Sequence, residues 1–372
     1  MLQETIKIEE EVGRGTRGGP YVYLVDSLEL VHISEYAIRE SPGRGENQII
    51  YELPSSVEGK VAYAFHFSRS GGAFLTKGRI EDIGNYDKCK HGLIEEFIPE
   101  LRQLKFRIRE IYLRTLSEQF GRNFAHIIGD LKAYTRKLDF KYGFMGHQSR
   151  LENAFENPEV YYFTFMSLPK DRSRIKSLKV TRRWIYQLWV LKLLCDALQV
   201  SKFKGHEYGG KPYWWIEQGS DYSTGMGETP FGDVTFWLEF QPSKGAHVLG
   251  AFDDGFSRSE FKKAKGHVRP DIIAVKGHFE ETKDFTNSGK AIDALIECKE
   301  DPFDKWKNEI ESQILPYQDY FKSRYLIIAS LEPIPHDAKR YLENQGMKVV
   351  DNLKPNGETI RTLYDAIRRG FE

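Results

Sequence analysis

Two short stretches decide how this chain reads: RPDIIAV at 269–275 and ALIECKE at 294–300. Both are apolar runs of strand length, bounded by polar loop, as expected of strands in a buried sheet. Side chains alternate along a strand, so Glu297 and Lys299 leave one face while Cys298 faces the other. Cys298 is thereby a small core residue rather than a reactive thiol. Asp271 opens the earlier strand directly after Pro270. A hairpin pairing through the loop GHFEETKDFTNSGK (277–290) sets Asp271 alongside Glu297 and Lys299. Two carboxylates and an ammonium then converge on one small pocket.

Phosphodiester hydrolysis has a use for that set. Mg²⁺ and Mn²⁺ prefer oxygen ligands, and Mg²⁺ is commonly held by one or two carboxylates plus the substrate phosphate. Such a cation polarises a phosphoryl oxygen and makes water a better nucleophile. A neighbouring lysine orients or activates that water and offsets charge on the phosphate. Asp271 and Glu297 are the candidate metal ligands, and Lys299 is the phosphate and water partner.

Outward from this pair the layout is α/β. RWIYQLWVLKLLCDALQ (183–199) has helical spacing, with an apolar face from Trp184, Leu188, Leu191 and Leu194. WWIEQGS and DVTFWLEFQ follow as strands. After the ECK strand come a helix from about Trp306 to Phe321, the strand YLIIAS, a helix near 336–345, the strand MKVV and a final helix. A central mixed sheet flanked by helices is the expected architecture. The N-terminal part reads differently. YVYLVDSLELVHI, NQIIYEL and KVAYAFHF are strand-like, and Leu93, Phe97, Leu101, Leu104, Ile108, Ile111 and Tyr112 then recur at helical steps. The expectation is two domains, residues 1–180 and 181–372, the first β-then-α and suited to recognition or partner binding.

Pro270-Asp271, followed 26 residues later by Glu297-Cys298-Lys299, resembles the PD-(D/E)xK nuclease superfamily of restriction-endonuclease-like proteins. Gln313-Ile-Leu-Pro-Tyr317 matches the QxxxY element of its RecB-like branch, on the helix after the ExK strand. The two residues are one helical turn apart and share a face. The resemblance covers roughly residues 183–350 and implies a restriction-endonuclease-like fold, Mg²⁺ (or Mn²⁺) as cofactor and nucleic acid as substrate, DNA ahead of RNA. It also implies that Gln313 and Tyr317 support the site and contact nucleic acid. One departure stands out. Many members carry an acid on the first core helix, where this chain has Gln187, either a neutral oxygen donor or a solvated side chain. Glu239, in FWLEFQ, is an alternative third acid or a charge on a solvent face.

Other features are less specific. The basic runs SRSEFKKAKGHVR (257–269) and KDRSRIKSLKVTRR (170–183) could track phosphates, though such runs are ordinarily solvated surface. Trp214, Trp215, Trp237 and Trp306 could stack bases but are more often core. Gly13, Gly15 and Gly18 satisfy GxGxxG by letter without the strand and helix that give that pattern its meaning. His247, His267 and His278 show no metal spacing.

The chain has 54 Lys plus Arg against 54 Asp plus Glu, so global charge does not advertise a nucleic-acid partner. Its three cysteines suggest no disulfide framework, and no apolar run reaches the ~20 residues of a membrane span. The expectation is a cytoplasmic, metal-dependent nuclease, with an endodeoxyribonuclease as the leading form. A homodimer or a protein partner through the N-terminal domain is compatible with it. An RNA nuclease, a non-catalytic nucleic-acid binder on a degenerate nuclease fold and a protein-interaction subunit remain as alternatives.

Overall fold

The computed structural model describes residues 5–12, 21–24, 37–40, 47–67, 73–83, 85–93, 96–97, 99–100, 123–145, 172–217, 219–241, 269–321 and 323–372. The chain forms two compact units: Met1–Arg114 with Glu156–Ser177, and Thr115–Phe155 with Leu178–Glu372. In the first, β1 (Thr5–Val12), β2 (Tyr21–Leu24), β3 (Ala37–Glu40), β4 (Asn47–Pro54), β5 (Val61–Phe67), β6 (Ala73–Arg79) and β7 (Lys90–Leu93) make two antiparallel sheets. Their orders are β1-β4-β3 and β2-β5-β6-β7. The strand-like stretches at 47–53 and 60–67 are thus most of β4 and all of β5. Leu93, expected on an amphipathic helix, instead ends β7 opposite Phe74 of β6. Cross-strand pairing there outweighs a helical spacing that has barely begun. Phe97 of the same pattern is helical and buried; residues 101–122, which hold the rest of it, lie outside the described residues.

The second unit contains α1 (Asn123–Lys137), β8 (Lys141–Phe144) and α2 (Arg172–Ala197), whose residues up to Ser177 belong to the first unit. After them come β9 (Lys202–Lys204), β10 (Glu207–Tyr208), β11 (Lys211–Ile216), β12 (Gly225–Thr229), β13 (Gly232–Leu238), β14 (Ile272–Lys276), α3 (Thr282–Asn287) and β15 (Ala294–Lys299). The unit finishes with α4 (Phe303–Trp306), a π-helical turn at Ile310–Ile314, α5 (Pro316–Tyr320), β16 (Leu326–Ser330), α6 (His336–Asn344), β17 (Lys348–Val350) and α7 (Thr359–Phe371). A boundary at 180 therefore falls inside α2, and residues 115–155 group with the C-terminal unit. Two long-range attachments explain this. Trp189 Nε1 and Lys192 Nζ of α2 each donate to Asp130 of α1 at 2.9 Å, and β8 pairs in parallel with β11.

Seven strands form one mixed sheet in the order β17-β16-β15-β14-β13-β12-β9. The neighbours from β9 to β15 run antiparallel, while β15, β16 and β17 run parallel. Parallel neighbours need crossovers, and α4 to α5 and then α6 supply them. On one face Trp237, Ile273, Val275, Leu295, Ile328 and Val349 pack against Trp306, Ile310, Ile314, Tyr317 and Leu342 from those crossovers. Full burial of each such aliphatic side chain is worth about 1.5–3 kcal/mol, so this layer holds the strand register that the site depends on. Helix α2 is buried on every side from Trp184 to Leu191 rather than along one stripe. Among the described residues no helix is long and apolar enough to cross a membrane.

Candidate active site

The antiparallel pairing Ile272↔Ile296, Ile273↔Leu295 brings the start of β14 against the end of β15. Asp271, one residue before β14, is thereby set beside Glu297 and Cys298, and its Oδ2 accepts the Cys298 N–H at 2.7 Å. Alternation along β15 holds as expected: Lys299 Nζ donates to Glu297 Oε1 at 2.8 Å. Cys298 is buried, and burial pushes its thiol well above the ordinary range, which leaves it inert. Asp271, Glu297 and Lys299 line one pocket of about 190 Å³ together with Arg183, Arg269 and Gln313.

The helix after β15 is not continuous. Leu315 N–H bonds Ile310 O at 2.9 Å, the i+5 step of a π turn, and Pro316 then opens α5. Proline has no N–H to give to a regular α ladder, so the wider turn fits the sequence. Gln313 within that turn donates from Nε2 to Tyr317 Oη at 2.8 Å and to Glu297 Oε1 at 3.3 Å. The Tyr317 hydroxyl, buried and held well above its usual range by burial, donates to Arg269 O at 3.0 Å. The structure thus links Glu297, Lys299, Gln313 and Tyr317 by side-chain hydrogen bonds and sets Asp271 beside them through the Cys298 N–H.

Helix α2 supplies the other wall. Gln187 is fully buried, not solvated, and its Nε2 donates to Asp271 Oδ1 at 2.5 Å. Glu239 is buried as well, just beyond the end of β13, rather than on a solvent face. It ion-pairs with Arg183 at 2.5 Å and Arg269 at 3.3 Å. Its φ of +47° lies in the left-handed region, a conformation that costs a non-glycine residue about 1–3 kcal/mol unless its surroundings enforce it. The enforcing contact is the Glu239 N–H to Asp271 O at 2.7 Å. With two arginines upon it, Glu239 is a weaker claimant to the role of third metal ligand than Gln187.

Charge in this pocket is finely opposed. Burial, and after it the Glu297 carboxylate, holds the Asp271 carboxyl well above its ordinary value. Burial works against the Lys299 charge, but Glu297, Asp271 and Glu309 together keep its ammonium above the usual lysine range. Two buried acceptors, Glu297 Oε2 and Gln187 Oε1, have no hydrogen-bond partner among the described residues. A buried polar atom left in that state costs roughly 1–3 kcal/mol. Oxygen acceptors without a partner, next to an acid that resists ionising, are what a hard cation satisfies, so the donor set fits one. Among the described residues no three His, Cys, Asp or Glu side chains gather as a metal site. A cation here would draw on Asp271, Glu297 and the Gln187 amide oxygen, with water and phosphate completing the shell, as Mg²⁺ allows.

Glu309, which accepts from Lys299 Nζ at 2.6 Å, escaped the sequence reading. Arg183 and Arg269 were read only as the ends of the two basic runs, and the structure sets both on Glu239. Arg183 had a signal, since it stands one helical turn before Gln187; Glu309 had none, because the break in its helix is not written in the apolar spacing. Of the other residues weighed, Trp214, Trp237 and Trp306 are core and Trp215 is half-buried, while His278 is exposed. His247, His267, Gly13, Gly15, Gly18 and the run from 257 to 268 lie outside the described residues, as do residues 170–171 of the other basic run.

No protein family and no curated protein matches the sequence. Among solved structures the chain is similar to protein VC1899 from Vibrio cholerae at 10% identity. That similarity covers 80% of this chain and 65% of the other, with a TM-score of 0.21, too low to carry an argument about either fold or function.

Proposed function

We propose that the C-terminal unit is a metal-dependent nuclease of the PD-(D/E)xK type, with DNA as its first substrate. The observation that carries this reading is the joining of Asp271, Glu297 and Lys299 in one pocket, where Glu297 Oε2, and behind Asp271 the Gln187 Oε1, find no hydrogen-bond partner among the described residues. What a bound Mg²⁺ or Mn²⁺ supplies there is neutralisation of phosphate charge and a more acidic water. Lys299, whose ammonium Glu297, Asp271 and Glu309 favour, would direct N–H groups at the water or the phosphate oxygen. Gln313 holds Glu297, and Tyr317 fixes the backbone just ahead of Asp271. Gln187 orients the Asp271 carboxylate. A cytoplasmic setting with three reduced cysteines accords with this chemistry.

A second reading is favoured by one observation. Gln187 stands where many such enzymes carry an acid, and Glu239 is neutralised by arginines. That combination also suits a nuclease fold that binds nucleic acid without cutting it. Incubation with linear and circular, single- and double-stranded DNA and with RNA, each with Mg²⁺ and with chelator, separates the two. Cutting that is lost on chelation and falls at least about a hundredfold in Lys299→Ala supports the enzyme. Binding without cutting supports the second reading, and the absence of both refutes the two together.

A further inference from the structure

A lysine carries its charge on a flexible four-carbon stem, so the ammonium lies where its partners hold it. Two carboxylates hold that of Lys299: Nζ donates to Glu297 Oε1 at 2.8 Å and to Glu309 Oε2 at 2.6 Å. Nζ also stands over the Trp306 ring, 5.6 Å from its centroid. An ammonium has three N–H groups. The third finds no acceptor among the described residues, in a pocket that Glu297, Lys299, Trp306 and Glu309 all line.

Glu309 belongs to this group by placement as well as by contact. It immediately precedes the π turn Ile310–Ile314, and within that turn Gln313 donates to the same Glu297 Oε1 at 3.3 Å. One stretch of chain thus offers an acceptor to the lysine and a donor to the glutamate. The Lys299 side chain is 8% exposed and that of Glu309 44%, so the second carboxylate stands on the solvent side, where an arriving phosphate meets its charge.

We propose that Glu309 is a positioning residue that fixes the Lys299 ammonium, leaving one N–H for the phosphate, while its own charge opposes substrate binding. The substrate half of this statement rests on the nuclease reading; the hold on the lysine does not. Such a residue raises kcat and KM together, because orientation is gained at a cost in uniform binding.

The experiment compares wild type with Glu309→Ala, Glu309→Gln and Glu309→Asp. In the first arm DNA cutting is followed in Mg²⁺. Glu309→Ala lowers kcat about thirtyfold, and KM falls about threefold with the repelling charge gone. Glu309→Gln keeps an oxygen acceptor and recovers part of kcat, with the same low KM. Glu309→Asp keeps the charge but is one methylene short, so kcat falls and KM holds. A glutamate that only supports the fold moves the melting temperature without this split. The second arm needs no substrate. In protein labelled with ¹⁵N-lysine, the Lys299 ammonium is observed by NMR and identified by its absence in Lys299→Ala. Held on two carboxylates, its protons exchange slowly enough with water to be seen, and Glu309→Ala loses the signal. A signal that survives in Glu309→Ala, or a kcat in that variant within about twofold of wild type, overturns the positioning role. Signal loss in a protein that cuts no nucleic acid keeps the hold on Lys299 and removes the nuclease reading. Cutting indifferent to all three substitutions does the reverse.

Discussion

At Asp271 the folded chain holds a carboxyl in surroundings that resist its charge. Its pKa is raised by burial and by Glu297, so the folded state favours the protonated form more than the unfolded chain does. The associated stability is present below the ordinary value near 3.8 and is lost as pH climbs toward the raised one. Asp271→Asn therefore melts at a higher temperature than wild type in metal-free buffer at neutral pH, and the advantage disappears as pH falls below 4. The Gln187 amide can turn to accept from the new side chain, which keeps the Cys298 N–H bonded. An equal or lower midpoint at neutral pH contradicts the electrostatic picture. At this scale the sequence was legible where strand alternation governs, which is why Glu297 and Lys299 meet as expected. It was not legible for Gln187, because solvated and buried glutamines on a helix look alike until the residue 84 positions away is in contact.

Elements fix these side chains through few contacts, and the break between α4 and α5 is the least redundant of them. The Tyr317 hydroxyl bonds the carbonyl of Arg269, so a helix on the far side of β15 holds the entry to β14. Tyr317→Phe leaves that carbonyl and Gln313 Nε2 each one partner short. A loss of about 1–3 kcal/mol in denaturant unfolding is expected, together with slower cleavage as Asp271 loses its fixed position. Wild-type stability in the variant shows that the tether carries nothing. The four-residue spacing of Gln313 and Tyr317 predicted a shared helical face. The structure reaches a direct bond between them by a different route, a π turn before Pro316. Apolar periodicity does not reveal such a turn, since an added residue shifts phase without changing composition.

For the molecule as a whole, the mixed sheet and its flanking helices were readable from alternating strand and helix patterns. The division into units was not, because it depends on α1 and β8 docking onto elements far along the chain. Trp189 and Lys192 on Asp130, and β8 on β11, join the segment 115–155 to the later residues. A fragment of residues 181–372 leaves the α1 side of α2 and the β8 edge of β11 bare, and it is expected to aggregate or melt without cooperativity. A fragment of residues 115–372 retains both attachments and is expected to unfold in one cooperative transition by circular dichroism. Equal behaviour of the two fragments removes the structural role of residues 115–155.

Whether a divalent ion settles between the acids can be measured without knowing any substrate. Electron paramagnetic resonance of Mn²⁺ titrated into the purified chain at neutral pH reads the free and bound ion directly. We expect saturable binding in wild type that weakens at least about tenfold in Asp271→Asn and in Glu297→Gln, because each removes one of two charged oxygen ligands. Binding of equal strength in all three proteins, or none in wild type, contradicts a metal centre at this pocket.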